Sequence, residues 1–170
     1  MKNKERRVAM MQLLAKSDSP LSGGKLAEMY GVTRPIIVGD IAALRQSGYP
    51  IASTPRGYKM ISPHDGSIKK VFLCKHGREQ VEEELTTILS LGGIVHTIGV
   101  EHDIYGNIEA SLYIQSMEDC RLFVKRFKES QNQLLSSLSH GLHTHLVEAP
   151  SLQVMEQIEG TLRDKGLLVS

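Results

Sequence analysis

The stretch Tyr30-Gly31-Val32-Thr33-Arg34-Pro35 constrains the fold more than any other part of the chain. Helical periodicity runs up to it and away from it, but no single helix runs through it. Gly31 suits the left-handed residue that closes a helix, because it has no Cβ to clash there. Thr33 is placed as an N-cap, and Pro35 falls in the first turn of the next helix, where a missing N–H removes no bond. Upstream, SGGKLAEMYG has Ser22 as its cap and points Leu26, Ala27 and Tyr30 inward. Downstream, Ile37, Ile41 and Leu44 repeat at helical spacing until Gly48. Two short helices joined by so tight a turn form a helix-turn-helix.

The flanks extend the unit. KERRVAMMQLLAKSD places Val8, Met11, Leu14 and Ala15 at helical spacing, giving a helix before the motif. YPIASTPRGYKMI alternates weakly and breaks at Pro55-Arg56-Gly57, which predicts a β-hairpin with a basic tip. A helix-turn-helix followed by such a hairpin is a winged helix. Charge supports a polyanion as its partner. Residues 1–61 hold ten Lys/Arg against four Asp/Glu, a net +6, whereas residues 62–170 hold ten against fifteen, a net −5. On double-stranded DNA, the start of the second helix of the motif reaches base edges, which selects Thr33, Arg34 and Ile36. Arg34 offers a two-pronged donor to guanine. Arg45, Arg56 and Lys59, with Arg6 and Arg7, are placed for phosphates.

ISPHDGS is polar and contains Pro and Gly, so residues 62–67 read as a linker between a domain at 1–61 and another at 68–170. The second half alternates strand and helix patterns. IKKVFLCKH, IVHTIGVEH, IEASLYIQ and LHTHLVEA read as strands. REQVEEELTTILSLGG, SMEDCRLFVKRFKESQNQ and PSLQVMEQIEGTLRDKG read as helices. Val81, Leu85, Ile88 and Leu89 form the apolar face of the first of these helices, and Cys120, Phe123, Val124 and Phe127 that of the second. The order β-α-β-β-α-β-α predicts an α+β sandwich, with helices on one face of an antiparallel sheet in a split βαβ arrangement. Two cysteines, Cys74 and Cys120, do not make a disulfide framework and fit a reducing compartment. The N-terminus is no secretory leader and no later stretch reaches the length of a membrane span, so the expected location is the cytoplasm.

Three of the seven histidines fall within six positions, in SHGLHTHLVEAP. Residues i and i+2 of a strand share a face, so His143 and His145 project together as a two-point chelate that suits Zn²⁺, Ni²⁺ or Fe²⁺. His76, at the end of the first strand of this half, is the third candidate. An acidic ligand is available on the next helix. Glu83 lies opposite the apolar stripe, whereas Glu82 and Glu84 flank it, and spacing alone does not choose between those two. His140 fits the loop before the strand. His64, His96 and His102 receive no role.

Two resemblances bear on these patterns. LSGGKLAEMYGVTRPIIVGDIAALRQSGYPIASTPRGYKM resembles the winged helix-turn-helix shared by the biotin-operon repressor and several metabolite-responsive repressors. Arg34, Ile37, Asp40, Ile41, Leu44 and Arg45 carry most of that likeness. KHG at 75–77 and GLHTHLVEAP at 141–150, behind that module, resemble the three-histidine (3H) domain. The combination is similar to the niacin-responsive repressors of NAD biosynthesis and niacin transport genes. The resemblance implies a divalent metal held by His76, His143, His145 and, in first place, Glu84. It also implies nicotinic acid as corepressor, bound near that metal. A homodimer would present two recognition helices about 34–36 Å apart to a pseudo-palindromic operator.

Two rival readings use the same histidines. Three His/Glu ligands with an open position also describe a catalytic zinc that activates water. Against an enzyme, the sequence has no Ser/His/Asp order, no phosphate-cradling Gly loop and no separate general base. Alternatively, the metal itself is the signal and no organic effector exists. The expectation is a repressor, not an enzyme.

Overall fold

Eight apolar side chains, Met10, Leu14, Leu26, Ala27, Ile37, Ile41, Leu44 and Ile51, define the first of two cores. In the computed structural model, which describes residues 1–62, 66–130 and 132–169, the chain divides into two compact units, Met1–Pro63 and His64–Ser170. Residues 63–65, half of the linker expected at 62–67, lie outside the described residues.

The first unit comprises α1 (Asn3–Lys16), α2 (Gly23–Tyr30), α3 (Arg34–Gln46), β1 (Ile51–Thr54) and β2 (Gly57–Met60). Ser22 caps α2 by accepting from the Lys25 N–H, and Gly31 closes it at φ +62°. The α3 helix starts after Thr33 with Pro35 in its first turn, but the Thr33 side chain makes no capping hydrogen bond, unlike the expectation from sequence. Strands β1 and β2 pair antiparallel around Pro55-Arg56, and Leu21 adds a bridge to Tyr58. This is the expected winged helix.

One expectation about α1 is corrected. Arg6, Met10 and Leu14 form its buried face, while Val8 is 46% exposed and Ala15 is also at the surface. The run VAMMQLLA is apolar nearly all round, so its own pattern does not choose a face. Tertiary structure chooses, through Asp40. That carboxylate, on the buried side of α3, receives Arg6 Nε at 2.6 Å and Arg7 Nε at 2.8 Å. Burial raises the Asp40 pKa, but the two arginines outweigh it and leave the group below its ordinary value. Arg6 is therefore an internal strut between α1 and α3, not the phosphate contact expected from sequence, and Arg7 shares the same carboxylate.

The second unit comprises β3 (Ile68–Lys75), α4 (Val81–Ser90), β4 (Ile94–His102), β5 (Gly106–Ile114), α5 (Met117–Glu129), β6 (Leu142–Ala149) and α6 (Leu152–Asp164). Short 3-10 turns at Arg78–Gln80 and Leu135–Ser139 precede α4 and β6. The sheet order is β3-β6-β4-β5, every neighbour antiparallel, so β6 is inserted between the two strands joined by α4. That is the α+β fold and split βαβ arrangement the sequence predicts. Phe72, Cys74, Val95 and Val147 from the sheet meet Leu85 and Ile88, Val124 and Phe127, and Ile158 and Leu162 from the three helices in one core. Each side chain so buried contributes about 1.5–3 kcal/mol. Since all three helices share that core with a single set of strand residues, they cover one face of the sheet. The register of β4 shifts between Val95 and Thr97, a bulge that re-aims the strand next to the buried histidines.

Candidate metal centre and DNA-reading helix

Four groups from three segments of the chain converge on the helix-covered face of the sheet. His76 follows the end of β3, where alternation buries Phe72, Cys74 and His76 in turn. His143 and His145 alternate inward on β6, paired in register with Cys74 and Phe72. Glu84 comes down from α4 between Val81, Leu85 and Ile88 and is 1% exposed. Its carboxylate lies 2.6 Å from His76 Nε2, 2.8 Å from His145 Nε2 and 3.3 Å from His143 Nε2. Glu82 is turned to the surface, 3.5 Å from Lys128.

The other ring nitrogen of each histidine is occupied as well. Nδ1 lies 2.9 Å from the Gly77 carbonyl in His76, 2.8 Å from that of Gly141 in His143, and 2.7 Å from that of Thr97 in His145. A carbonyl only accepts, so Nδ1 must carry the proton in all three. Each Nε2 is thereby directed at the same point, and the backbone fixes both ring plane and tautomer, the arrangement that orients metal-ligating histidines. Gly141 makes part of this close fit possible. Its φ is +89°, and a Cβ there would stand 2.5 Å from the His76 carbonyl oxygen.

Charge is balanced around the carboxylate. Burial disfavours the charged forms of His76 and His145, yet the hydrogen bonds and charge of Glu84 prevail and raise both pKa values. Burial likewise acts to raise the Glu84 pKa, but His145, His143 and His76 drive it well below the ordinary value. Without an ion, N–H protons of His76 and His145 face the Glu84 oxygens. The donor set of three imidazole nitrogens and one carboxylate suits a divalent transition metal that displaces those protons.

Sequence reasoning passed over Cys74. Its Sγ, a Glu84 oxygen and a His143 nitrogen lie within 4.8 Å of one another, and burial followed by the neighbouring Glu84 pushes the thiol pKa up. Strand alternation held the signal, since Cys74 is two residues from His76. Helix spacing likewise held the signal for Glu84, which shares the i, i+3, i+7 row of Val81 and Ile88. The other described histidines lie elsewhere, and His64 falls outside the described residues. His96 sits 2.6 Å from Glu148 in a separate buried pair, His102 stacks on Tyr105, and His140 ends a 3-10 turn in the left-handed conformation.

In the first unit, Thr33, Arg34 and Ile36 are exposed at the start of α3, with Ile36 at 42%. Arg45 donates to the Ile51 carbonyl at 2.8 Å and to Ser53 Oγ at 2.9 Å, and lies over the Tyr58 ring. It ties α3 to the wing. Arg56 is at the tip of the wing, and Lys59 lies on β2. Among the described residues no helix is long and apolar enough to cross a membrane.

The family models agree with this division, an HTH domain matching residues 6–59 and a 3H domain matching residues 69–170. The chain is 38% identical over 165 residues to the probable transcription repressor NiaR of Thermotoga maritima, covering 97% of this chain and 94% of that protein. It is 32% identical over 167 residues to the transcription repressor NadR of Bacillus subtilis, covering 96% and 93%. The winged helix, the converging histidines and full-length similarity to two repressors lead to one conclusion: the chain belongs to the family of DNA-binding transcription repressors, not enzymes, that join an HTH domain to a 3H domain.

Proposed function

We propose that this repressor controls NAD-biosynthesis and niacin-uptake genes in the cytoplasm as a homodimer, with nicotinic acid as corepressor bound at or near a divalent metal. The observation that carries the metal is the buried Glu84 carboxylate facing three imidazoles whose Nδ1 protons are held by backbone carbonyls. His76, Glu84, His143 and His145 are the ligands in this reading, and the ion is nickel, zinc or iron. When bound, it supplies a fixed positive charge in a buried site.

On DNA, Thr33, Arg34 and Ile36 read base edges and Arg56 and Lys59 meet phosphates. Arg45 acts on phosphate and also through the wing it supports. Nicotinic acid represses only if it binds the DNA-competent dimer more tightly than the alternative arrangement.

Fluorescence anisotropy on promoter DNA from NAD-biosynthesis and niacin-transport genes tests this reading. Affinity should rise on adding nicotinic acid to metal-loaded protein, and neither nicotinamide nor chelated protein should show the rise. A response to metal with no response to nicotinic acid would favour the plain metal sensor, since the same four ligands serve both.

A further inference from the structure

Beside the metal centre the 3H unit opens into a cavity of about 440 Å³, within the size range of small-molecule sites. One wall is the corner after β3, with His76, Gly77 and Arg78. The other is the turn before β6, with Leu134, Ser136, Ser137 and His140. Resting on the effector reading above, we propose that this cavity is the effector pocket and that Arg78 holds the carboxylate of a one-ring aromatic acid in it.

Three features of the walls support the assignment. The first is a positioned cation. The Arg78 guanidinium donates to the Phe127 carbonyl and lies over the Phe127 ring at 5.1 Å from its centre. That leaves most of the five donors of the fork for an acceptor with two oxygens, and a cation held in place binds without first being ordered. Glu79 folds its carboxylate back over Gly77 and does not line the cavity.

The second feature is the lining, in which neutral polar groups, Gln133 among them, accompany the cation and Leu134 is the one apolar side chain among the described lining residues. Ser136 and Ser137 provide hydroxyls, and His140 is presented by its left-handed backbone, φ +54°. One cation, a few neutral polar groups and an apolar side chain match a planar ring with a single negative charge. A phosphorylated nucleotide would find too few cations there.

The third is continuity with the metal centre. His76 faces the cavity and the metal ligands alike, and Leu134 and Ser136 also border the small space of about 20 Å³ beside Glu84, His143 and His145. That space admits no more than a water. A ring acid is therefore accommodated in the larger cavity, where it bears on His76 and on the turn at 135–139 that leads into β6.

Isothermal titration of the full-length, nickel-loaded chain with nicotinate, nicotinamide and benzoate tests the proposal, with metal content measured for every variant. Arg78→Gln should weaken nicotinate roughly tenfold to a hundredfold, abolish the preference for acid over amide, and leave metal content unchanged. Ser137→Phe fills the cavity from the opposite wall, at an exposed position, and should block nicotinate while sparing the metal. If nicotinate binds the wild type and both variants equally, the pocket lies elsewhere and the effector reading stands. If the wild type binds no nicotinate in any metal state, the effector reading itself fails, and this assignment with it.

Discussion

Glu84 Oε1 and His145 Nε2 stand 2.8 Å apart although 61 residues separate them in the chain. The pair is almost wholly buried, so its carboxylate needs partners at all times, either protonated imidazoles or a metal ion. Glu84→Gln should abolish stoichiometric metal binding and leave the HTH unit folded, because the two units have separate cores. Glu82→Gln, on the exposed side of α4, should retain full metal. Elemental analysis of both purified variants decides, and a metal-loaded Glu84→Gln protein would remove Glu84 from the ligand set.

Acidity should act in opposite directions on the metal-free and metal-bound protein. The raised pKa values of His76 and His145 give stability that is complete below their ordinary value of 6.5 and is lost as pH rises through the folded values. The lowered Glu84 pKa gives stability present above 4.5 and lost as pH falls through the folded value. The cluster therefore contributes most to the metal-free protein between about pH 4.5 and 6.5. Metal requires neutral Nε2 atoms, so its stabilising effect should grow as pH rises above that window. Melting curves with and without metal at pH 5.5 and 8, compared with Glu84→Gln, measure this. An identical metal-induced shift at both pH values would contradict it.

Gly141 holds its place for two reasons, its positive φ and the His76 carbonyl close to where a Cβ would stand. Gly141→Ala should displace the His76 backbone and lower metal affinity by roughly tenfold to a hundredfold without removing any ligand. Competition with a chromophoric chelator would show this, and wild-type affinity would mean that the corner yields without moving His76.

Asp40→Asn should leave Arg6 buried without its counter-ion and destabilise the HTH unit by about 3–5 kcal/mol. Urea denaturation monitored by hydrogen exchange in α1 and α3 locates the loss. A change within error would mean that water reaches Arg6 when Asp40 is gone.

Arg34→Ala and Arg45→Ala should fail differently on DNA. Arg34 is exposed where α3 begins, and its loss should relax base preference at one position by about 1–3 kcal/mol. Arg45 braces the wing through Ile51 and Ser53, so its loss should weaken all sequences alike. Binding to a panel of single-base operator variants separates the two, and identical specificity profiles would merge their roles.

Local rules made much of this protein legible from its residues. Gly31 and Pro35 end one helix and begin the next through backbone constraints that no distant residue alters, and period-two alternation places His143 and His145 on one face before any packing is known. Packing decided what those rules leave degenerate. The α1 run is apolar on most sides, and only Asp40 on α3 turns Arg6 inward and Val8 outward. Glu82 and Glu84 are chemically the same. What separates them is that α4 lies over β6 with the row of Val81, Glu84 and Ile88 facing down, so one carboxylate meets three imidazoles and the other meets solvent and Lys128. The carbonyls of Gly77, Gly141 and Thr97 that fix those imidazoles leave no mark in the sequence, because any residue supplies a carbonyl and only the folded backbone sets where it points.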